Sequence, residues 1–247
     1  MKIMVINPNT SKSMTQHLEH VLSKIKGPDT ELTVVCPDEG PETIECAYDE
    51  AWSVMPTLKL IERANRENYD ACILACFSDP GLEQAREISN ILVTGIEEIS
   101  MHMAAMMGAK FSVMTLNQER VPSKEMHARR FRLEESLASV RPIGLSVAET
   151  DDDPVRAKAL ILETARKAVE EDGAEVIILG CAGMAGYADD IVATLGVPVI
   201  DPSSVALKIT EGMVAAGLKQ SKKGYYSIPP KIRRAQGEKI GSGCCCK

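Results

Sequence analysis

The chain has 247 residues, of which 45% are hydrophobic and 26% charged, and its net charge is -7 at pH 7. This length corresponds to one large domain or two small ones, and the apolar content is sufficient for a substantial core. The acidic balance argues against nucleic acid as the main partner, since phosphate binding requires a basic surface. The sequence has no uninterrupted apolar run of about 18 residues, so no membrane span is expected.

Short β-branched runs alternate with stretches of helical periodicity along the chain. The first run begins at Lys2 and is too short for a signal peptide, so we interpret it as a strand. The predicted strands are Lys2–Ile6, Leu32–Val35, Ala71–Ala75, Phe111–Thr115, Ser139–Val147, Val176–Leu179 and Val197–Ile200. The predicted helices are Met14–Ile25, with Thr10 or Ser11 as N-cap, Tyr48–Glu67, Gly95–Met107, Arg156–Glu171 and Ser204–Ala216. This alternation predicts a mostly parallel sheet with helices on both sides.

The two halves of the chain share one pattern. The segment IMVINPNT from Ile3 matches FSVMTLNQ from Phe111 in residue type, and ACILACFSDPG from Ala71 matches VIILGCAGMAG from Val176. Each half runs strand–helix–strand–helix–strand, and each third strand ends in a cysteine. The repeat predicts two α/β lobes, over residues 1–94 and 95–202, related by approximate twofold symmetry. A C-terminal helix at 203–218 is expected to pack on the first lobe, and the basic segment 219–247 is expected to be flexible.

The cysteines are the best candidates for chemistry. In a chain of this length they do not form a disulfide framework, which indicates a reducing compartment and a cytoplasmic protein. Cys76 and Cys181 end corresponding strands, where parallel sheets bind ligands, and each precedes a turn and a helix. Helix N-termini lower the pKa of a nearby thiol. Two such thiols facing each other across a cleft can remove a proton from one face of a carbon and deliver one to the other.

A structural role for these residues also has to be considered, because a cysteine at a strand end is more often a packing residue than a catalytic one. The matching positions of Cys76 and Cys181 favour chemistry, whereas Cys72 lies within a strand and is predicted to be a core residue. The four histidines, at 17, 20, 102 and 127, have no ligand spacing with the cysteines, so no metal is expected. The three cysteines at 244–246 end the basic segment, and a disordered end is favoured over a metal or redox site.

Four motifs carry a resemblance to a known family: INPNTS at 6–11, ACFSDPG at 75–81, LGCAGM at 179–184 and VIDPS at 199–203. In order and spacing, over residues 1 to about 217, they resemble the hydantoin and allantoin racemases of the aspartate/glutamate racemase superfamily. The resemblance implies a homo-oligomeric isomerase that uses no cofactor, with its active site in the cleft between two lobes and Cys76 and Cys181 as acid and base. It implies that the substrate is contacted by Asn7, Asn9, Thr10, Phe77, Ser78, Thr115, Ala182 and Gly183.

The residues after the cysteines bear on the substrate. Amino-acid racemases of the superfamily usually place polar residues there to anchor a carboxylate, whereas this chain has Phe77 and Ala182. An apolar and a small residue fit a neutral, flat ring better than a carboxylate. The C5 proton of a hydantoin is also more acidic than an amino-acid α-proton. We therefore expect a small cyclic ureide as substrate, a 5-substituted hydantoin including allantoin.

One departure from the family and several alternatives remain. Relatives commonly have a threonine pair where this chain reads Thr115-Leu116-Asn117, so one polar contact is lost or supplied differently. The alternatives are an aspartate- or glutamate-type amino-acid racemase, a decarboxylase or cis–trans isomerase of the superfamily, and a cytoplasmic redox sensor with a disulfide at Cys72 and Cys76 or in the tail.

Asp79 and Asp201 each precede a proline, and both are predicted to cap the helix that follows.

Overall fold

The computed structural model describes residues 1–145, 149, 153–181, 184, 187–230, 233–235 and 238–240. Its first lobe has a parallel sheet in the order β2-β1-β3-β4, and its second has a parallel sheet in the order β6-β5-β7-β8. The strands are β1 (Lys2–Ile6), β2 (Glu31–Val35), β3 (Ala71–Leu74), β4 (Leu92–Gly95), β5 (Phe111–Thr115), β6 (Leu137–Pro142), β7 (Val176–Leu179) and β8 (Val199–Ile200). The two sheets therefore have the same strand order, with β5 to β8 in the places of β1 to β4. The predicted α/β fold of two lobes, each a parallel sheet flanked by helices, is confirmed.

Helices connect the strands in both lobes. They are α1 (Lys12–Ile25), α2 (Ala47–Arg66), α3 (Leu82–Ile88), α4 (Ile96–Met107), α5 (Val121–Arg130), α6 (Pro154–Glu170), α7 (Ala188–Leu195) and α8 (Pro202–Ala215). Helix α1 begins where Ser11 caps it, with the Ser11 side chain accepting a hydrogen bond from Met14 N. In the described parts of the chain, no helix combines the length and apolar content needed to cross a bilayer.

One hydrophobic core runs through both lobes. The central strands β1, β3, β5 and β7 are almost completely buried, as expected for parallel strands covered on both faces. Helix α4 follows β4 of the first sheet and also packs on β7 of the second, while α8 returns to pack on α4, α1 and β3. A single apolar cluster includes Ile73 of β3, Met101 of α4 and Ile178 of β7. Because α4 belongs to the core of both lobes, it holds the two sheets in a fixed arrangement.

Several predicted boundaries were wrong, for local reasons. The strand predicted at Ser139–Val147 begins at Leu137 and ends at Pro142, and the extended backbone is broken soon afterwards by Gly144, whose φ is +74°. Residues 143–145 are not strand, and 146 and 147 lie outside the described residues. The sequence reading missed strand β4 and the helices α3, α5 and α7, which have only 7 to 10 residues. Segments this short complete too few turns to show a clear apolar period.

The segment after α8 runs along the first lobe. The Gln220 side chain accepts a hydrogen bond from Val93 N at 2.9 Å and donates one to Val93 O at 2.8 Å. It thereby pairs with the edge strand β4 of the first sheet. Further on, Tyr226 accepts a hydrogen bond from Arg86 at 3.3 Å. Strands β9 (Arg233–Ala235) and β10 (Glu238–Ile240) pair as an antiparallel hairpin. The three cysteines at 244–246 lie outside the described residues.

Candidate active site

Cys76 and Cys181 occupy equivalent places at the carboxyl ends of β3 and β7. After β3, Ala75 N donates to Ile6 O at 2.8 Å, and the chain then turns so that Cys76 O accepts from Ser78 N and Asp79 N. After β7, Gly180 N donates to Met114 O at 2.8 Å. A Cβ on Gly180 would lie 2.2 Å from that same oxygen, so only glycine allows this approach. Both cysteines are partly exposed.

A small cleft of about 60 Å³ lies between these two strand ends. Residues of both lobes line it: Asn7, Asn9, Met14, Ile44, Glu45, Ala75, Cys76, Phe77, Ser78, Thr115, Leu116, Asn117, Arg120, Lys124, Gly180 and Cys181. Both cysteines face this one cleft, together with five of the predicted substrate-contacting residues. Thr10 is not among the lining residues, because its hydroxyl donates to Pro41 O at 3.2 Å. Ala182 and Gly183 lie outside the described residues.

The pKa of Cys76 differs from the sequence prediction. Desolvation by the surrounding protein raises this pKa to about 12, although a hydrogen bond with Ser78 and the charge of Lys124 oppose the change. The expected lowering by a helix N-terminus was wrong for Cys76, because α3 begins only at Leu82. A negative charge on Cys181 raises the pKa of Cys76 further. The two thiols therefore resist ionising together, and the pair retains at least one proton over a wide pH range.

Cys72 provides a contrast within the same strand. It is fully buried in β3, where it belongs to the apolar cluster that also contains Met4 and Leu74. Burial raises the pKa of this thiol as well. The prediction that Cys72 is a core residue is in agreement with this position, and a buried neutral thiol is a poor nucleophile.

Asn7 and Asn9 brace the loop that follows β1. Asn7 is buried, and its amide nitrogen donates to Asn9 Oδ1 at 2.6 Å and to Thr15 Oγ1 at 3.1 Å. The same Asn9 oxygen accepts from Ser11 N at 3.0 Å, at the start of α1. These bonds fix two amide groups at the wall of the cleft, so a structural role and substrate contact are compatible.

A buried charged cluster, which the sequence reading missed, supports the Cys76 turn. Lys124 of α5 is 3% exposed, and its ammonium donates to Phe77 O and to Glu97 Oε1, the latter at 3.0 Å. His127 Nδ1 lies 2.6 Å from the other Glu97 oxygen. Burial opposes ionisation of Glu97, but Lys124 and His127 outweigh it and lower the pKa of this carboxyl. The cluster binds the residue after Cys76 to a helix of the second lobe.

Asp79 connects the same turn to α4. Its carboxyl accepts hydrogen bonds from Glu97 N at 3.1 Å and Glu98 N at 2.8 Å. The helix that Asp79 caps is therefore α4, and the prediction that it caps the next helix in the chain, α3, was wrong. A Cβ on Gly95 would lie 2.2 Å from the Asp79 carboxyl carbon, so the glycine that precedes α4 makes room for this cap. Asp201, by contrast, caps the helix that follows it, accepting from Ser204 N at 3.0 Å.

Two further polar residues of the second lobe line the cleft and were not predicted. Arg120 forms an ion pair with Glu50 of α2. Asn117 presents a buried side-chain oxygen that has no hydrogen-bond partner among the residues that the structure describes. Both lie just after β5, where the sequence shows no apolar period that would place them. Two signals indicated that the segment up to Gln118 faces a site: the match of FSVMTLNQ to the first-lobe loop, and the threonine pair that relatives have near Asn117.

The Asp/Glu/Hydantoin racemase family model matches residues 3–210. The hydantoin racemase of Pseudomonas sp. (strain NS671) is 38% identical over 231 residues, which are 94% of this chain and 93% of the relative. That of Rhizobium meliloti is 39% identical over 241 residues, 97% of this chain and 99% of the relative. The structure of allantoin racemase from Klebsiella pneumoniae superposes with a TM-score of 0.91 at 35% identity, covering 96% of this chain and 97% of the other.

Proposed function

The chain belongs to the Asp/Glu/hydantoin racemase family, and on this premise we propose that it racemises 5-substituted hydantoins with Cys76 and Cys181 as its acid–base pair. It is a racemase, an isomerase that acts on a small molecule. One observation carries the assignment of the site. The two cysteines follow equivalent strands of two matching sheets and line the same cleft.

The reaction requires one thiolate and one thiol. The thiolate removes the C5 proton from one face of the ring, and the electron pair left on carbon delocalises into the adjacent ring carbonyl. The opposite thiol then donates its proton to the other face of C5. Afterwards the first sulfur carries the proton and the second carries the charge, so the pair is ready for the mirror-image substrate. No proton or electron is gained or lost overall.

The electrostatics of the pair fit these alternating roles. The raised pKa of Cys76 keeps this residue as a thiol at neutral pH, which suits a proton donor, and makes its thiolate a strong base. The mutual effect of the two sulfurs disfavours the doubly ionised state, in which no proton donor would remain. The fraction of enzyme in which Cys76 is the thiolate should therefore be small at neutral pH and should grow as the pH rises.

The charges of the cleft favour a neutral ring over an amino acid. Among the described lining residues, the two cations are Arg120, paired with Glu50, and Lys124, paired with Glu97. Each is paired with a protein carboxylate, so the cleft offers little uncompensated positive charge to attract a substrate carboxylate. Phe77, Met14 and Leu116 supply apolar walls. These features support a hydantoin rather than aspartate or glutamate.

Polarimetry of the purified protein tests the proposal. Enantiopure allantoin, an alkyl hydantoin, an aromatic hydantoin and L-glutamate are compared, each corrected for spontaneous racemisation. We expect racemisation of at least one cyclic ureide and none of glutamate. Racemisation of glutamate alone would establish the amino-acid alternative.

We also propose that the protein acts without a cofactor, in the cytoplasm, as a homo-oligomer. The free thiols of Cys36, Cys46, Cys72 and Cys76 fit a reducing compartment. Tyr48, Trp52 and Met55 leave an apolar stripe exposed on α2, which supports self-association. Activity should survive exhaustive dialysis against EDTA, and light scattering should give a mass above that of one chain.

A further inference from the structure

The side-chain oxygen of Asn117 is a buried acceptor that no described group satisfies. Buried polar atoms are nearly always hydrogen-bonded, and an unpaired acceptor destabilises the folded state. Within the described residues, the side-chain oxygens of Thr57 and Ser203 are also buried and unpaired, but neither residue lines the catalytic cleft. Asn117 does line it, alongside both cysteines. Its oxygen therefore lacks a donor at the place where a substrate would bring one.

The backbone holds Asn117 in this position. The residue lies two positions after β5, and its carbonyl accepts a hydrogen bond from Arg120 N at 3.3 Å, which closes a short 3-10 turn. The preceding Leu116 carbonyl accepts from Gly144 N at 2.8 Å and from Leu145 N at 3.2 Å. These bonds tie the loop to the chain that follows β6. The side chain is thus presented to the cleft from a braced segment.

The cations nearby already have partners. The Arg120 guanidinium is paired with Glu50, and the Lys124 ammonium is shared between Glu97 and the Phe77 carbonyl. Among the described residues, neither cation lies within hydrogen-bond distance of the Asn117 oxygen, and the ion pairs with Glu50 and Glu97 hold both cations in place. A donor from the substrate can satisfy the oxygen without moving either of them. A carboxylate or carbonyl placed there would instead repel it.

We propose that Asn117 Oδ1 accepts a hydrogen bond from a ring N–H of the substrate, which makes Asn117 a specificity-determining residue for cyclic ureides with a free ring nitrogen. The inference rests on the proposed function and narrows its substrate class. A hydantoin has an N–H on each side of its C2 carbonyl, and either can be the donor. A ring methylated at the nitrogen that faces Asn117 leaves the oxygen unpaired and adds a methyl group against it.

The experiment measures kcat/KM for a 5-alkyl hydantoin, its N1-methyl derivative and its N3-methyl derivative. Wild-type protein should disfavour one of the two methylated rings on the order of 10- to 100-fold, the usual range when a site's buried polar group is left unpaired. Asn117→Leu should lower kcat/KM for the parent ring by a similar factor and should hardly change kcat/KM for the methylated ring that wild type disfavours. The variant should therefore no longer discriminate between these two rings. Asn117→Asp keeps an acceptor and should retain the preference for the free N–H.

Gln118→Leu is the matched control, because Gln118 is the exposed neighbour on the same turn and does not line the cleft. This variant should discriminate as wild type does, and circular dichroism verifies folding of all three variants. The inference is overturned if wild type accepts both methylated rings as well as the parent, or if Asn117→Leu still discriminates, and racemase activity stands in both cases. If wild type racemises no hydantoin at all, the proposed function itself fails.

Discussion

At the scale of single residues, the ionisation of Cys76 controls how the proposed chemistry can operate. Desolvation raises its pKa to about 12, while Ser78 and Lys124 act in the opposite direction. The free enzyme then holds Cys76 as a neutral thiol at physiological pH, and a raised thiol pKa means that the thiolate forms only as the pH increases. The reactivity of this thiol therefore rises at higher pH than that of a thiol at a helix N-terminus, whose pKa is lowered.

The first prediction concerns this pH dependence. We expect kcat/KM for the enantiomer whose C5 proton Cys76 removes to rise as pH increases from 7 towards 9.5, because the fraction of Cys76 that is thiolate grows throughout that interval. The rate is followed by polarimetry, with the spontaneous reaction subtracted at every pH. A plateau already reached at pH 7 for both enantiomers would mean that the Cys76 thiolate is fully formed there, contrary to the direction of the Cys76 shift.

The missed residues near the site share one physical property: their roles come from contacts between segments distant in sequence. Lys124 bonds to Phe77 O and Glu97, which lie 47 and 27 residues away. A lysine in a charged stretch such as VPSKEMHARR is normally solvated, and nothing in that stretch indicates burial. The cysteines could be predicted because the repeat and the family motifs both mark them.

At the scale of elements, α5 of the second lobe supports the catalytic turn of the first. Its Lys124 places a positive charge beside the Cys76 turn and holds the Phe77 carbonyl. The Glu97 carboxylate that balances this charge is on α4, which Asp79 caps. The turn after β3 is thus fixed from two helices, and its position does not depend on the short helix α3.

The second prediction removes the charge of this support. Lys124→Met should lower the free energy of unfolding by about 3–5 kcal/mol, because the buried Glu97 carboxylate loses its lysine partner and keeps, of its described partners, only His127. It should also shift the rise of kcat/KM to higher pH, since Lys124 lowers the pKa of Cys76. Urea unfolding and the pH profile measure the two effects.

The double variant Lys124→Met with Glu97→Gln serves as the control for this prediction. It removes both buried charges, so it should recover much of the lost stability while keeping the shifted pH profile. If the single variant shows the wild-type profile, the charge of Lys124 has no influence on the reacting thiol.

The third prediction tests the approach of β7 to β5 beside Cys181. Gly180→Ala places a Cβ 2.2 Å from the Met114 carbonyl oxygen, so the strand ends must separate and Cys181 must move. We expect at least a 10-fold lower kcat/KM, since small displacements of a reacting group are costly, and a lower urea midpoint.

Gly212→Ala is the matched control, because that glycine lies in α8 with no atom near the added Cβ. It should raise stability by about 0.5–1 kcal/mol through helix propensity and leave activity unchanged. Equal activity of Gly180→Ala and wild type would show that the close approach does not position Cys181.

At the scale of the whole molecule, the internal repeat made the fold predictable. Matching segments at Ile3 and Phe111, and at Ala71 and Val176, correspond in the structure to β1 and β5 and to β3 and β7. Strand order, however, is not encoded locally, and the bridging position of α4 between both sheets depends on packing. Asp79 shows the same limit, because its capping oxygens meet a helix that begins seventeen residues later.

The central claim is that two sulfurs act on opposite faces of one carbon, and hydrogen exchange tests it most directly. Enantiopure hydantoin is incubated in deuterium oxide with Cys76→Ala or Cys181→Ala, and the C5 proton is followed by NMR with correction for spontaneous exchange. Cys72→Ala, which removes a buried thiol of the same strand, is the control and should racemise normally.

Each active-site variant should lose net racemisation yet retain C5 exchange for one enantiomer, with opposite hands for the two variants. The remaining thiol can still remove a proton and return a deuteron on its own face. Racemisation at a near wild-type rate by either variant would contradict the two-thiol account.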